Sequence, residues 1–373
     1  MWQLIGSALR FIRFDSTQQD PSGSWHTVDG GENGGHMHCW LFFHRQLAPD
    51  IPEAPEVYRF LEVARRMGIE LDVLRPQEFD LVVDSAEGWS ALYKGRKLKK
   101  PDVIIARTGS ETSYFTLAVM RHFERQGVAM INGPAAIETV ADKLRTLQIL
   151  SKARLPIPKT ILCKFPVDVN LVERELGFPV VVKTVKGTRG AGVLLCSDRA
   201  QFNDLANLLD EAGPGADFIF QQYIVTSHGR DVRILVINGK AIAAMERRSV
   251  DGGFKSNISL GGHGAPFAMP DLLVRLAVRV AGALNLDVAG VDILFDVNGY
   301  RVCEANSAPG FQGLEKACGI SVPEEIFKVV QKKCSDNYSS ISSPQHDRLR
   351  SAPFPNSDAV AADTGDVLAD ATT

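Results

Sequence analysis

The sequence predicts a chain of mixed class, in which an α/β region is followed by an α+β region. Between residues 37 and 142, short apolar runs alternate with stretches of helical periodicity, a pattern typical of a mainly parallel sheet. Between residues 143 and 333, strand patterns outnumber helices and come in pairs joined by tight turns, which indicates hairpins. A chain of 373 residues is long enough to give each region its own core.

The composition is that of an ordinary globular protein and argues against several classes of function. Apolar residues make up 45% of the chain and charged residues 23%. The net charge of −3 argues against a dedicated nucleic-acid binder, and no apolar run reaches the roughly 18 residues of a membrane span. Six scattered cysteines form no C-x-x-C pair, so we expect reduced thiols and a cytoplasmic protein without a structural zinc site.

Both ends of the chain are predicted to lie outside the folded region. Residues 1–36 look irregular, and their second half is rich in Gly, Ser and Asp. We therefore expect a disordered leader or a start assigned too early, with Met37 opening the folded domain. Residues 334–373 are rich in Ser, Asp, Ala and Pro and lack periodicity, so we expect a disordered tail.

The elements of the α/β region follow in order after Met37. MHCWLFF predicts a first strand, and the spacing of apolar residues in VYRFLEVARRMG predicts a helix over residues 57–68. ELDVL and PDVIIA predict buried strands, residues 114–127 predict a second helix, and VAMIN predicts a further strand. Residues 37–142 are therefore expected to form one N-terminal α/β domain.

The second region opens with the helix pattern KLRTLQILSKA and a break at PIPK. Its first part, placed at residues 143–224, contains the strands PVVVKTV and FIFQQYI. Its second part, placed at residues 225–333, contains the hairpin of DVRILVI and KAIAAMERR over the turn ING. A helix over residues 270–284 and a hairpin of DVAGVDILF with YRVCEAN complete this part.

A Gly-rich loop directly follows a buried strand in VVVKTVKGTRGAGV. Glycines let backbone N–H groups approach phosphate oxygens, and basic side chains offset phosphate charge. The loop lacks the G-K-[ST] ending of a Walker A motif, and a glycine-rich hairpin without a ligand stays open as an alternative. The candidate phosphate-binding residues are Lys183, Gly187, Thr188, Arg189, Gly190 and Gly192.

Three side chains with oxygen atoms lie on two strands that are predicted to pair, in DILFDVNGYRVCEAN. Asp292 lies on the first strand, and Glu304 and Asn306 lie two residues apart on the second, so these two share a face. Hard oxygen ligands suit Mg²⁺, and buried carboxylates need a cation partner. We favour a metal site over ordinary ion pairs at a solvated strand end; Asp296 is interpreted as a turn residue.

Basic side chains cluster in SHGRDVRILV and in AAMERRSVDGGFKSNISLGG. Asp231 and Arg233 alternate on one strand face, and Arg247 lies near the end of the next strand. Converging cations would stabilise a phosphorylated, anionic intermediate, whereas the alternative is a basic edge strand. The Gly-rich loop that follows carries Lys255, Ser256 and Asn257.

In order and spacing, these blocks resemble the RimK-type ATP-grasp ligases. The resemblance rests on PVVVK with its Gly-rich loop, FQQYI, GRDVR, ERR followed by KSNISLGG, AGVDIL, and CEANSAPGFQGLEKACGI. It extends upstream to YKGRKL, IARTG and ADKLRTLQIL, and it covers residues 57–330. It implies an ATP-grasp fold over residues 143–333 behind an N-terminal α/β (pre-ATP-grasp) domain.

The resemblance also implies roles for residues at the nucleotide. Lys143 and Lys183 would contact the ATP phosphates, and the loop 187–192 would close over them. Gln222 and Tyr223 would form the hinge beside adenine, where bacterial relatives often carry Glu in place of Gln222. Asp231 would lie near the ribose.

Further implied roles concern the metal ions and the reacting groups. Asp292, Glu304 and Asn306 would hold two Mg²⁺ or Mn²⁺ ions. Arg233, with Lys255, Ser256 and Asn257, would line the triphosphate and the acyl phosphate. Arg247 and Arg107 are candidates for gripping carboxylate substrates, and Arg233 and Arg247 are the candidate catalytic residues.

The implied reaction joins a carboxyl group to the amine of L-glutamate through an acyl phosphate made from ATP. The first acceptor to expect is the C-terminus of a small-subunit ribosomal protein, which the five basic residues at 94–100 would attract unless they form a merely solvated hairpin. Small acids such as N-acetylaspartate or citrate, free polyglutamate, and a nucleotide-binding module without catalysis stay open. We expect no membrane and no direct nucleic-acid partner, and relatives are often tetramers.

Overall fold

The computed structural model describes residues 17–19, 25–27, 37–86, 88–109, 112–187, 192–211, 217–250, 252–256 and 262–341, with side chains between 37 and 334. The helices within these residues are α1 (Ala54–Arg66), α2 (Tyr114–Arg125), α3 (Pro134–Ala141), α4 (Lys143–Lys152), α5 (Val169–Leu176), α6 (Arg199–Glu211), α7 (Asp271–Ala283), α8 (Gln312–Cys318) and α9 (Val322–Ile341). Two 3-10 turns cover Pro76–Glu78 and Val225–Ser227. In this part of the chain no helix has the length and apolar character needed to span a bilayer.

The strands of the first half are β1 (Thr17–Gln19), β2 (Trp25–Thr27), β3 (His38–Phe42), β4 (Glu70–Leu74), β5 (Phe79–Val83), β6 (Trp89–Tyr93), β7 (Val103–Ala106) and β8 (Ala129–Ile131). The strands of the second half are β9 (Thr160–Leu162), β10 (Val180–Thr184), β11 (Val193–Cys196), β12 (Phe218–Gln222), β13 (Arg230–Ile237), β14 (Lys240–Arg248), β15 (His263–Pro266), β16 (Val288–Asp296) and β17 (Gly299–Asn306).

The N-terminal sheet has the strand order β1-β2-β4-β3-β7-β8, and its last four strands are parallel, which confirms the predicted α/β region. Both faces are covered, because α1 packs on one face and α2 on the other. Phe60 of α1 and Phe123 of α2 are nearly fully buried. Strand β3 between them is buried at every position, as a strand covered on both faces must be.

Two predictions about the ends of the chain are wrong in part. Within the leader, β1 pairs with β2, and β2 pairs with β4 at Trp25 and Val73. These are backbone contacts at an open sheet edge, which composition does not reveal. The tail was expected to begin at residue 334, but α9 continues to Ile341, because each further helical residue adds a backbone hydrogen bond whatever its side chain. The other residues of both segments lie outside the described ranges.

A smaller sheet follows, with antiparallel strands in the order β11-β10-β12-β9. Helices α5 and α6 cover one of its faces, where Val172, Phe202 and Phe220 are buried together. Helix α4 packs Leu147 against this sheet and Leu150 against the core of the next one, so it joins the two sheets.

The last large sheet is antiparallel, with the strand order β15-β14-β13-β16-β17. The predicted turn between β13 and β14 is present, and Asn238 and Gly239 have φ values of +48° and +72°, as a tight two-residue hairpin requires. One face packs against α7 and α4, and the other against α1, α8 and α9. Because α1 belongs to the N-terminal region, the core on that second face is shared between both halves of the chain.

Candidate active site

A cleft lies between the four-stranded sheet and the five-stranded sheet, and both sheets contribute to its lining. The structure brings twelve of the predicted site residues together there. They are Lys143, Lys183, Gly187, Gln222, Tyr223, Asp231, Arg247, Lys255, Ser256, Asp292, Glu304 and Asn306.

Two lysines line the side of the cleft next to the four-stranded sheet. Lys143 begins α4, and its Nζ donates to the Gly187 carbonyl at 2.9 Å. Lys183 ends the buried run of β10, and its Nζ donates to Oε1 of Gln221 at 2.7 Å. Burial lowers the pKa of Lys143 from its ordinary value, Glu304 opposes this shift, and the nearby Lys183 adds to it. Both ammonium groups thus donate to neutral oxygens rather than to carboxylates.

The predicted hinge lies at the end of β12. The side chain of Gln222 reaches the backbone N–H of Lys159, and the Tyr223 hydroxyl contacts Nδ1 of His228. The sequence prediction missed Gln221, which is 2% exposed and also donates to the Thr160 hydroxyl at 2.8 Å. Period-two alternation was the available signal, since two consecutive glutamines in a strand must point to opposite faces.

The charges on the other side of the cleft arise from one face of the five-stranded sheet. On that face, apolar residues such as Leu235 and Met245 lie over the shared core. The same face presents Arg233, two residues before Leu235 on β13, and Arg247, two residues after Met245 on β14. One side-chain row is thus apolar where it packs against helices and charged where it meets the cleft.

Strand register pairs these charges across the sheet. Arg233 lies opposite Asp292 and donates to both of its carboxylate oxygens, at 2.7 Å each. Arg247 lies opposite Asp231, donates to Oδ1 at 2.7 Å and also contacts Oδ2. A further contact of 3.0 Å joins Nη2 of Arg247 to Asp292. Asp231 and Arg247 were predicted as ribose and substrate contacts. In the structure they form an ion pair with each other.

A second carboxyl group lies directly opposite Asp292, because Glu304 is its partner on β17. Burial alone would raise the pKa of Asp292, but Arg233 and Arg247 outweigh it and hold that pKa well below its usual range. Burial and the adjacent Asp292 raise the pKa of Glu304, with Lys183 acting in the opposite direction. The two facing carboxyl groups therefore have pKa values that are shifted in opposite directions.

The predicted metal ligands converge in the structure. Nδ2 of Asn306 lies 3.4 Å from Asp292 and 3.5 Å from Glu304. Two facing carboxyl groups, one with a raised pKa, form a place where a cation between them would relieve repulsion. Among the described residues no group of three His, Cys, Asp or Glu side chains suits a metal ion, since the third member here is an amide. The Asp-Glu-Asn set fits Mg²⁺, which keeps part of its shell for phosphate and water.

Apart from Arg233, which is bonded to Asp292, the remaining predicted residues fall into three groups. Gly192 packs at the base of its loop, where φ is +70° and an added Cβ would lie 2.7 Å from the Thr184 hydroxyl oxygen, so glycine is needed there for space. Arg107 lies outside the cleft lining, and its side chain is 8% exposed and bonded to Glu56. Thr188, Arg189, Gly190 and Asn257 lie outside the described residues.

A β-bulge between β16 and β17 explains a further residue that the sequence prediction missed. The register shifts after Asp292, so Glu304 pairs with Asp292 while Val302 pairs with Ile293. Cys303 is left between them and contacts Nζ of Lys183 at 3.6 Å. Burial raises the pKa of its thiol to about 11, with Lys183 opposing the shift. No sequence pattern signalled this bulge.

A cleft with two lysines beside a four-stranded antiparallel sheet, and with facing carboxylates on a larger antiparallel sheet, is typical of an enzyme of the ATP-grasp class. The chain matches the RimK-like ATP-grasp domain over residues 140–330 and the RimK PreATP-grasp domain over residues 51–137. The protein belongs to this RimK-like family of ATP-grasp ligases. The predicted family, the ATP-grasp fold and an ATP-dependent ligase activity are thereby confirmed.

Named relatives resemble the chain over most of its length. A probable alpha-L-glutamate ligase from Marinomonas sp. (strain MWYL1) is 37% identical over 284 residues, which are 74% of this chain and 93% of the relative. The ribosomal protein bS6–L-glutamate ligase of Escherichia fergusonii is 34% identical over 281 residues, 75% of this chain and 93% of the relative. The solved ATP-grasp ligase PsnB, complexed with minimal precursor, Mg and ADP, superposes with a TM-score of 0.60 at 20% identity, covering 80% of this chain and 98% of PsnB. At that identity, the likeness to PsnB shows the fold alone.

Proposed function

We propose that this protein is an ATP-dependent α-L-glutamate ligase that extends an acceptor carboxyl group with glutamate. The observation that carries the proposal is the cleft itself, where two lysines with neutral partners face two carboxyl groups and an amide across the gap. Relatives named as glutamate ligases, at 34–37% identity over about three quarters of this chain, support glutamate as the amine.

The chemistry proceeds in two transfers. An oxygen of the acceptor carboxylate attacks the γ-phosphorus of ATP, the bond to the bridging oxygen breaks, and ADP leaves with an acyl phosphate formed. The glutamate amine, after losing a proton, then attacks the acyl carbon, and inorganic phosphate leaves as the amide forms. The protein contributes mainly position and charge in both transfers.

The residues divide this work between the two sides of the cleft. Lys143 and Lys183 hold the phosphate chain, since their ammonium groups donate to neutral oxygens that a phosphate would replace or supplement. Gln222, Tyr223, Lys255 and Ser256 line the same cleft. In the proposed reaction Gln222 and Tyr223 would border adenine, and Lys255 and Ser256 would border the transferred phosphoryl group. Arg233 holds Asp292 in place and adds positive charge beside the reacting groups.

Asp292, Glu304 and Asn306 would hold two Mg²⁺ ions, or Mn²⁺ in their place. Bound there, the metal would supply charge neutralisation at the phosphate oxygens. Arg233 keeps Asp292 ionised and oriented for this role, because the bidentate pair lowers the pKa of that carboxyl. Asn306 adds an amide oxygen without adding a third negative charge.

The acceptor we propose is the C-terminal carboxyl group of a small-subunit ribosomal protein. The relative named for bS6 supports this choice. The basic stretch after β6 supports it too, since Lys94, Arg96, Lys97, Lys99 and Lys100 are all exposed, on a chain whose net charge is −3. Exposed cations would attract an acidic tail, more strongly at low salt.

The experiment is to incubate the purified protein with ATP, Mg²⁺, L-glutamate and a small-subunit ribosomal protein extract, and to record intact masses and ADP. A ladder of glutamate-mass additions on one ribosomal protein is the expected result. ADP release without any change in protein mass would contradict the acceptor and indicate a small acid or free polyglutamate. ATP binding without ADP release would contradict the ligase activity for glutamate as a whole.

A further inference from the structure

The segment of residues 307–311, called here the exit segment, connects the last predicted metal ligand on β17 to α8. It is packed against the strand that carries Asp292. An added Cβ on Gly290 would lie 2.5 Å from Cβ of Pro309, so the segment rests on β16 two residues from that carboxylate. Gly290 is also the pairing partner of Asn306. A shift of the exit segment would therefore move the ends of both strands.

Side chains of the N-terminal region hold the backbone of the exit segment. Glu56 of α1 accepts from the Phe311 N–H through Oε1, at 2.8 Å. Arg107, just after β7, donates from Nη2 to the Pro309 carbonyl at 3.0 Å. Asn132, just after β8, donates to the Ser307 carbonyl at 2.7 Å.

The Glu56 and Arg107 side chains also hold each other. They form an ion pair in which the side chains are 9% and 8% exposed, respectively. The Arg107 guanidinium lies 5.3 Å from the ring centroid of Phe311 and 6.0 Å from that of Phe60. An added Cβ on Gly310 would come within 3.3 Å of Glu56, so the segment passes close over the pair. Buried, paired and stacked charges of this kind have little freedom to move.

We propose that Glu56 and Arg107 are positioning residues for the reaction, which couple the N-terminal domain to the metal-ligand end of β16 and β17 through the exit segment. Their own groups are committed to each other and to backbone atoms, so Arg107 does not serve as a substrate carboxylate grip. The inference rests on the proposed ligase function for its kinetic test but not for its structural test.

The kinetic test compares Arg107→Met with wild type at varied ATP, Mg²⁺ and glutamate. Positioning predicts about a tenfold or larger fall in kcat and a rise in the Mg²⁺ concentration for half-maximal rate, with KM for ATP within about twofold, because a misplaced reacting group costs rate more than binding. A substrate grip would instead raise KM for glutamate at nearly constant kcat, and that result would overturn the proposal.

Two further variants separate positioning from general stability. Arg59→Met is the control, since Arg59 of α1 pairs with Glu315 of α8 at 3.2 Å and with Glu62 of its own helix at 2.6 Å, and neither partner belongs to the exit segment. Equal losses in both variants would mean a merely structural contact between the two halves and would contradict the proposal. The double variant Glu56→Gln with Arg107→Met removes both buried charges at once, so it remains testable where Arg107→Met alone fails to fold.

Hydrogen exchange provides a readout that needs no turnover. In Arg107→Met, we expect the amide of Phe311 and its neighbours to exchange at least tenfold faster than in wild type and in Arg59→Met. Unchanged exchange there would overturn the proposal even if activity fell. If the wild-type protein released no ADP in response to glutamate, that result would contradict the proposed function. The hydrogen-exchange comparison would still test the positioning role.

Discussion

The two sides of the cleft hold their charges in opposite ways. On the side of the four-stranded sheet, Lys143 and Lys183 donate to a backbone carbonyl and to a side-chain amide, both neutral. On the side of the five-stranded sheet, Arg233 and Arg247 are bonded to carboxylates of neighbouring strands. The lysine side therefore offers charge to a ligand, whereas the arginine side uses its charge to hold carboxylates in place.

One cleft thereby combines groups that can bind phosphate with carboxylates that are held in fixed positions. A phosphate chain can take up the lysine charges directly, at the small cost of exchanging neutral hydrogen bonds. Asp292, one of the carboxylates that would hold metal, is fixed before any ligand arrives, because breaking its buried bidentate pair with Arg233 is unfavourable. Substitutions on each side of the cleft test this difference.

The largest effect is expected on the carboxylate side. Asp292→Asn removes the charge that faces Glu304 and pairs with Arg233, so turnover should fall by about 10³-fold, since several kcal/mol of transition-state stabilisation would be lost. Initial rates of ADP release measure this. Asp296→Asn on the same strand, a turn residue that pairs with Arg301, should stay within about twofold of wild type. Full activity in Asp292→Asn would contradict the metal assignment.

A smaller effect is expected on the lysine side. Lys183→Met should raise the Kd for ATP by about 10²-fold, because a charge-assisted hydrogen bond to phosphate contributes up to about 3 kcal/mol. Calorimetry with ATP and with adenosine separates the causes, since adenosine has no phosphate and should bind the variant as it binds wild type. Lys164→Met, an exposed lysine of the same region, is the control. Equal weakening of ATP and adenosine would contradict a phosphate role.

The smallest effect is expected for Glu304, on the melting temperature of the metal-free protein and its dependence on pH. The pKa of Glu304 is higher in the folded protein than its ordinary value of 4.5, so the folded state binds the proton more tightly than the unfolded state. Glu304 therefore contributes to the free energy of unfolding below pH 4.5, where it is protonated. This contribution is lost as the pH rises through the pKa that Glu304 has in the folded protein. Glu304→Gln should therefore raise the melting temperature in metal-free buffer at pH 7.5 by about 2 °C or more.

The pH profile and Mg²⁺ supply the controls for this stability experiment. At a pH below 4.5 the difference between Glu304→Gln and wild type should disappear, because both side chains are then neutral. Added Mg²⁺ should raise the melting temperature of wild type more than that of the variant, since a ligand that binds the folded state stabilises it. A variant less stable than wild type at pH 7.5 would show that the ionised Glu304 is favourably held without metal.

The elements were predicted best where local patterns decide them. Helix α4 and the turn at Asn238 follow from periodicity and turn chemistry, and both were found where the sequence placed them. The short strands β1 and β2 were missed, because they form only by pairing at the edge of a distant sheet. The end of α9 was missed because residues 335–341 are rich in Ser, Asp and Asn, which favour loops over helix interiors.

The chemical groups of the site can be read from the sequence alone: a Gly-rich loop after a strand with Lys183, and Asp292, Glu304 and Asn306 on two hairpin strands. Motif order and local periodicity are carried by neighbouring residues, so they can be recognised without the fold. The tertiary structure decided which charges meet. Strand register placed Arg233 opposite Asp292 and Arg247 opposite Asp231, and the packing of α1 on the shared core brought Glu56 and Arg107 to the exit segment. Register and packing depend on contacts between distant parts of the chain, and for that reason the sequence did not reveal that Arg107 pairs with Glu56.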